Sequence, residues 1–194
     1  MNKGLEQQLI RRAQSGDDAA MAALVRAHQE SLYAFMLRMT GRPDVAEDVV
    51  QEAFVRVLRN LDRFDMRYRF STWLFTIAKR LYVNWNQKFR PVYESDLVGS
   101  RETAWDPPER LVAGRERHDR MREGLVDALA SLGETQREIV LLFHQQGWSI
   151  TDISQYLEMP EGTIKSHLHR ARRRMRARIE VSSPNLQRIV ETWQ

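Results

Sequence analysis

One run most narrows what this chain can fold into: Trp148 to Arg178, WSITDISQYLEMPEGTIKSHLHRARRRMRAR. Ser149 stands where a helix N-cap is expected, with Asp152 three residues on in the position of a capping-box acid. Ile150, Ile153 and Leu157 then recur at i, i+3 and i+7, which puts them on one helix face. Pro160 suits the first turn of a second helix, where its missing N–H is no loss. Ile164, Leu168, Ala171 and Met175 carry an apolar stripe through that helix, and a block of arginines closes it. Two short helices sharing an apolar seam, the second strongly basic, are what a helix-turn-helix needs to set one helix in the major groove. An arginine-rich helix alone is equally at home as the solvated face of a bundle. The capped first helix and the turn favour DNA.

The chain's 194 residues suffice for one large domain or two small ones. With 42% hydrophobic and 29% charged residues, it is neither disordered nor fibrous. The net charge of +4 suits a polyanionic partner. More telling is its segregation, because Asp44, Glu47, Asp48 and Glu52 gather in one stretch and the arginines in another. The absence of cysteine excludes disulfides and any cysteine-based metal site or nucleophile. The opening residues lack a signal-peptide core, and nowhere do 18 apolar residues run together, so a cytoplasmic protein with no membrane insertion of its own is expected.

Strand signals are nearly absent, and helical periodicity predicts an all-α protein. A first helix spans 5–15, closed by Gly16, and a second spans 18–40, ended by Gly41. A third opens at Pro43 and Asp44, with Ala46, Val50, Ala53, Val57 and Leu61 as its buried stripe. The loop DRFDMRYR leads to a helix over 71–89, ended by Pro91, whose Trp73, Ile77, Leu81 and Trp85 form a stripe suited to the core. Serine, glycine and two adjacent prolines then mark a linker. Further helices are expected over 109–130 and 134–145. The expected layout is a helical domain at 1–92, a flexible linker at 93–108, a second helical domain ending in the helix-turn-helix at 109–180, and a tail at 181–194.

Segment 62–90 interleaves aromatics with bases, the mixture that holds unpaired nucleic acid by stacking while cations follow the backbone. Among these, the loop aromatics Phe64, Tyr68 and Phe70 are the better candidates for base contact, with Trp73 and Ile77 more structural. On the third helix, Asp44, Glu47, Asp48 and Glu52 share a face at i, i+3, i+4 and i+8, opposite the apolar stripe. Clustered carboxylates can hold a divalent metal. Here no histidine or glycine-rich phosphate loop lies nearby, which favours a solvated face or a docking surface. No HExxH, serine–histidine–acid grouping or Walker loop is present, and no active site, cofactor or metal is expected.

Together, AEDVVQEAFVRVLRNLDRF (46–64), FSTWLFTIAKRLYVNW (70–85) and ALASLGETQREIVLLFHQQGWSITDISQYLEMPEGTIKSHLHRAR (128–172) resemble the extracytoplasmic-function sigma factors. These are small promoter-recognition subunits of bacterial RNA polymerase. The likeness runs from about Leu5 to Arg178, and three such stretches in this order are highly specific. It implies a non-enzymatic initiation factor that recognises −35 and −10 elements. The implied partners are core polymerase (the β′ clamp helices and the β flap), promoter DNA in duplex and single-stranded form, and an anti-sigma factor. Polymerase docking would fall to Asp44, Glu47, Asp48, Gln51, Glu52 and Arg56. Contact with the −10 element would fall to Arg63, Phe64, Tyr68, Phe70, Ser71, Trp73, Lys79 and Arg80. The −35 element would meet Lys165, Ser166, His169 and Arg170, with Gly162 and Thr163 at the helix N-terminus near a phosphate. Arg172 and Arg173 would add backbone affinity without sequence information.

The chain departs from the family pattern at several positions. Glu158 stands where members usually have glycine, which calls for a different turn or a strained φ, and Gly133 where proline is frequent. His167 replaces a frequent arginine, and Arg80 and Asn84 a common asparagine and aspartate, so promoter sequence does not carry over. Two other readings compete: a free-standing regulator using only the C-terminal domain, and a metal-dependent nucleic-acid enzyme using the acidic helix.

Overall fold

In a computed structural model of the chain, residues 3–88 and 124–182 are described. All regular structure among them is helical, and the chain divides into two compact units, Met1–Leu97 and Val98–Gln194. The expected linker at 93–108, the expected helix from 109 as far as 123, and the tail from 183 lie outside the described residues.

The first unit holds α1 (Lys3–Gln14), α2 (Asp18–Thr40), α3 (Pro43–Arg59), a 3₁₀ turn (Leu61–Arg63) and α4 (Phe70–Lys88). Local chemistry sets the boundaries. The Asp17 carboxylate caps α2 by accepting from the Ala20 N–H at 3.0 Å. That N–H and the Arg12 guanidinium together hold the Asp17 pKa below the usual carboxylate range. Gly41 ends α2 at φ +69°, a left-handed conformation natural to glycine, and its N–H donates to the Leu37 carbonyl. The α3 stripe is buried as its spacing predicts, from Ala46 through Val50, Ala53 and Val57, with Leu61 buried just beyond the helix in the 3₁₀ turn. These side chains meet Leu24, Leu32, Phe35 and Met36 of α2 and Ile10 of α1 in one core.

In α4 the phase differs from expectation. The buried residues are Phe70, Leu74, Phe75, Ala78 and Tyr82, while Trp73, Ile77, Leu81 and Trp85 are only half-buried. Both sets recur at four-residue spacing, so periodicity alone does not choose between them. Packing against α2 chooses, through the Phe35 and Phe75 rings, whose centroids lie 5.0 Å apart.

The second unit comprises a helical stretch at 124–130 (α5), α6 (Glu134–Val140), a π turn (Leu141–Gln145), α7 (Ile150–Leu157) and α8 (Glu161–Ser182). The helix expected over 134–145 is therefore α-helical only to Val140, and its last turn widens. Gly147, at φ +64°, then lets the Trp148 N–H reach back to the Leu142 carbonyl at 3.0 Å. Two charged residues are buried here: Arg137 and Glu138, 3% and 4% exposed. Arg137 donates to the carbonyls of Leu129 (3.1 Å), Leu132 (3.0 Å) and Ala130 (3.5 Å), satisfying the end of α5. Glu138 accepts from the Tyr156 hydroxyl at 2.9 Å. Burial, then that carboxylate, raises the Tyr156 pKa well above its ordinary value.

The helix-turn-helix forms as its sequence predicts. Ser149 and Asp152 make a reciprocal capping box, with N–H to side-chain oxygen distances of 3.0 and 3.2 Å. Ile164, Leu168, Ala171 and Met175 are all buried. Pro160 sits one residue before α8 rather than within it, and its carbonyl accepts from the Thr163 and Ile164 N–H groups. Glu158 ends α7 at φ 55°, ψ 39°, and among the described residues it is the one non-glycine with positive φ. A left-handed L-residue costs about 1–2 kcal/mol, of which glycine's looser unfolded chain returns about 0.4–1. Glu158→Gly should therefore stabilise the protein by about 0.5–1 kcal/mol in chemical denaturation. An unchanged midpoint would mean that the turn stores no strain.

Candidate promoter-DNA and polymerase interfaces

Three surfaces carry the residues singled out by sequence. On α3, Asp44, Glu47, Asp48, Gln51, Glu52 and Arg56 are all exposed, opposite the buried stripe. Asp44 pairs with Arg42, which holds its pKa low, and Glu52 pairs with Arg56 at 2.6 Å. Among the described residues, no group of three histidines or carboxylates is placed to hold a metal ion. The face is a solvated, net acidic patch on a rigid helix.

Where the 3₁₀ turn meets α4, a cleft of about 280 Å³ is lined by Arg63, Phe64, Asp65, Tyr68, Thr72, Trp73 and Thr76. Its floor is aromatic. The Phe64 and Trp73 rings lie 5.1 Å apart, and Phe70 packs edge-on against Phe64 at 5.7 Å. Tyr68 stands at the rim, 58% exposed. The loop beneath it is drawn tight: Asp65 accepts from the Arg67 backbone N–H at 2.9 Å and from its guanidinium at 2.6 Å. That contact lowers the Asp65 pKa and raises that of Arg67.

Of the residues expected at single-stranded DNA, the cleft brings together Arg63, Phe64, Tyr68 and Trp73. Phe70 is a correction. It is 1% exposed, wedged against His28 at 5.1 Å, and as the first residue of α4 it faces inward with the core stripe. Its ring has no face to offer a base. Trp73 moves the other way, from structural stripe to cleft wall. Ser71, Lys79 and Arg80 lie on α4 outside the cleft lining. Asp65, Thr72 and Thr76 were not anticipated. The two threonines were signalled only by their spacing of four residues, which puts them on the Trp73 side of the helix.

On α8, Gly162, Lys165, Ser166, His169, Arg170 and Arg173 are exposed and Thr163 is half-buried. The Ser166 hydroxyl donates back to the Gly162 carbonyl at 2.9 Å, leaving its lone pairs outward. Apart from its chain neighbours and its own helix backbone, nothing lies within 4 Å of where a Gly162 side chain would begin, so the helix N-terminus is open to a ligand backbone. Thr151 of α7 donates to Glu161 at 2.7 Å and ties the two helices at that end. Arg172 differs from its neighbours: it is half-buried and turned onto Phe143 and His144.

The unit with the aromatic cleft and the unit with the capped helix-turn-helix each match a known family, in chain order. The Sigma-70 region 2 family matches residues 24–88, and the Sigma-70 region 4 family matches 122–175. The ECF RNA polymerase sigma factor SigL of Mycobacterium tuberculosis is 34% identical over 175 residues, 86% of this chain and 94% of that protein. This chain belongs to the extracytoplasmic-function RNA polymerase sigma factors. SigW of Bacillus subtilis is 29% identical over 180 residues, 88% of this chain and 94% of its own length. The sigma factor RpoE of Bartonella quintana, solved with the anti-sigma factor NepR, superposes with a TM-score of 0.62 at 25% identity, over 82% of this chain and 96% of its own. As a sigma factor, the protein works with core RNA polymerase and promoter DNA to start transcription. The match to region 2 sets aside a free-standing regulator built on the C-terminal domain alone. Among the described residues, no helix of this sigma factor is long and apolar enough to cross a membrane.

Proposed function

We propose that residues 1–92 dock on the polymerase and capture the −10 element, that residues 109–180 read the −35 element, and that residues 93–108 join them. The carrying observation is the cleft at Phe64, Tyr68 and Trp73 with Arg63 at its edge. Extruding a base from duplex costs a few kcal/mol, and stacking at about 1–3 kcal/mol per base with cationic backbone contacts can offset it. Tyr68 supplies the exposed ring, Trp73 and Phe64 the wall, and Arg63, with Lys79 and Arg80 further along α4, the charge. Phe70 supports the wall from within. The acidic face of α3, through Glu47, Asp48, Gln51 and Glu52, suits the clamp helices of β′, while the second unit works beside the β flap. The sigma factor itself carries no catalysis: the polymerase performs all nucleotide chemistry, in the cytoplasm. An anti-sigma factor is the expected regulator, as NepR is the partner in the RpoE structure.

The two DNA sites are separable by experiment. In holoenzyme, 2-aminopurine placed in the −10 element of a promoter should report base extrusion. Tyr68→Ala should abolish that signal while duplex binding at −35 persists; an undiminished signal would remove the cleft from the reading. Arg170→Ala should act in reverse, weakening −35 recognition by about 1–3 kcal/mol if the guanidinium makes a bidentate base contact. Equal loss on scrambled DNA would make Arg170 a phosphate contact.

A further inference from the structure

The arginines of α8 do not all serve the same surface. Arg170 and Arg173 are exposed, but the Arg172 guanidinium lies over the Phe143 ring, 5.6 Å from its centre. Its Nε also donates to His144 Nε2 at 3.4 Å. Both partners belong to the π turn that closes the α6 segment, and their rings pack edge to face at 5.0 Å. The imidazole can accept at Nε2 only when neutral there, and burial together with the Arg172 charge pushes the His144 pKa down, toward that form. A planar guanidinium laid on a ring and tied to an imidazole is directional in a way that an ammonium is not.

We propose that Arg172 is a positioning residue: it fixes the rotation of α8 against the π turn so that Lys165, Ser166, His169 and Arg170 meet base edges in register, and it does not neutralise a phosphate. This rests on reading α8 as the −35 recognition helix, and it replaces the backbone contact expected for Arg172 from the family likeness. The two roles differ in salt dependence. Each phosphate neutralised contributes about 0.9 to the slope of log affinity against log salt, whatever the sequence. A positioning residue leaves that slope alone and alters discrimination.

The test uses holoenzyme assembled from the full chain and two duplex probes: a −35 sequence selected by that holoenzyme from a randomised library, and its scrambled version. Affinities are measured from about 50 to 200 mM salt. Arg172→Gln should cut the preference for the selected probe at least about fivefold with the wild-type slope. Arg172→Lys, which keeps the charge, should fail to restore it. Phe143→Leu should lower the preference similarly, and the double variant should lose little more than either single one. Arg173→Gln is the contrast: a slope shallower by about 1 with preference intact. A shallower slope for Arg172→Gln with equal loss on both probes, or full rescue by lysine, would overturn the proposal. If the library yields no −35 preference at all, the assignment of α8 to the −35 element fails instead.

Discussion

Phe70→Ala should destabilise the N-terminal unit by about 3–5 kcal/mol, whereas Tyr68→Ala should leave its stability within about 0.5 kcal/mol. The two rings are two residues apart in sequence and opposite in setting. Phe70 is 1% exposed, touches His28 of α2, and supports Phe64 and Trp73 from inside. Removing its ring leaves a cavity that those neighbours cannot fill without abandoning the cleft. Tyr68, 58% exposed, loses no core contact when truncated, only a surface on which a base can stack. Denaturation of the full chain, followed beside promoter opening by holoenzyme, separates the effects. Phe70→Ala should lose both stability and opening, Tyr68→Ala opening alone. A Phe70→Ala protein as stable as wild type yet unable to open DNA would return Phe70 to the interface.

The second large effect is expected in the other unit. Arg137→Met should cost about 1–3 kcal/mol, although methionine keeps much of the apolar stem and removes a buried charge. The reason is what remains. The Leu132 carbonyl, just past α5, takes its hydrogen bond from the Arg137 guanidinium, while the Leu129 carbonyl accepts both from Arg137 Nε and from the Leu132 N–H. Without the guanidinium, the buried Leu132 carbonyl loses its donor, at about 1–3 kcal/mol, while the Leu129 carbonyl keeps the Leu132 N–H at 3.1 Å. Glu138→Gln should be much milder, since its side-chain oxygen can still accept from the Tyr156 hydroxyl. Thermal unfolding of the full chain checks both. Wild-type stability in Arg137→Met would mean that water reaches the Leu132 carbonyl.

These contrasts mark where sequence reading succeeds and where it stops. The Ser149–Asp152 capping box and the α3 stripe are local: partners three or four residues apart carry the signal, and the fold follows it. The left-handed turn at Glu158 was readable from a residue standing where glycine is usual. The phase of α4 was not, because apolar and aromatic side chains recur at four-residue spacing on two adjacent faces. Only the approach of Phe35 and the other α2 side chains decides that Phe70 goes inward and Trp73 lines a cleft. Arg137, Glu138 and Arg172 resemble surface residues by type. The carbonyls that Arg137 reaches lie 5 to 8 residues back across the break between α5 and α6, and the partners of Glu138 and Arg172 lie 18 and 28 residues away, beyond any helical period. The acidic face of α3 and the basic face of α8 were legible because each is exposed on one helix, whereas a cleft assembled from a turn and a helix start is not.

The most direct measurement is reconstituted transcription. Core RNA polymerase mixed with the full chain and a promoter library should give run-off transcripts from a small set of start sites sharing −35 and −10 sequences. Glu47→Lys with Asp48→Lys should abolish those transcripts by blocking assembly, with the chain still folded. Failure of the unaltered chain to bind core polymerase at low salt, or transcription from random starts, would contradict the account.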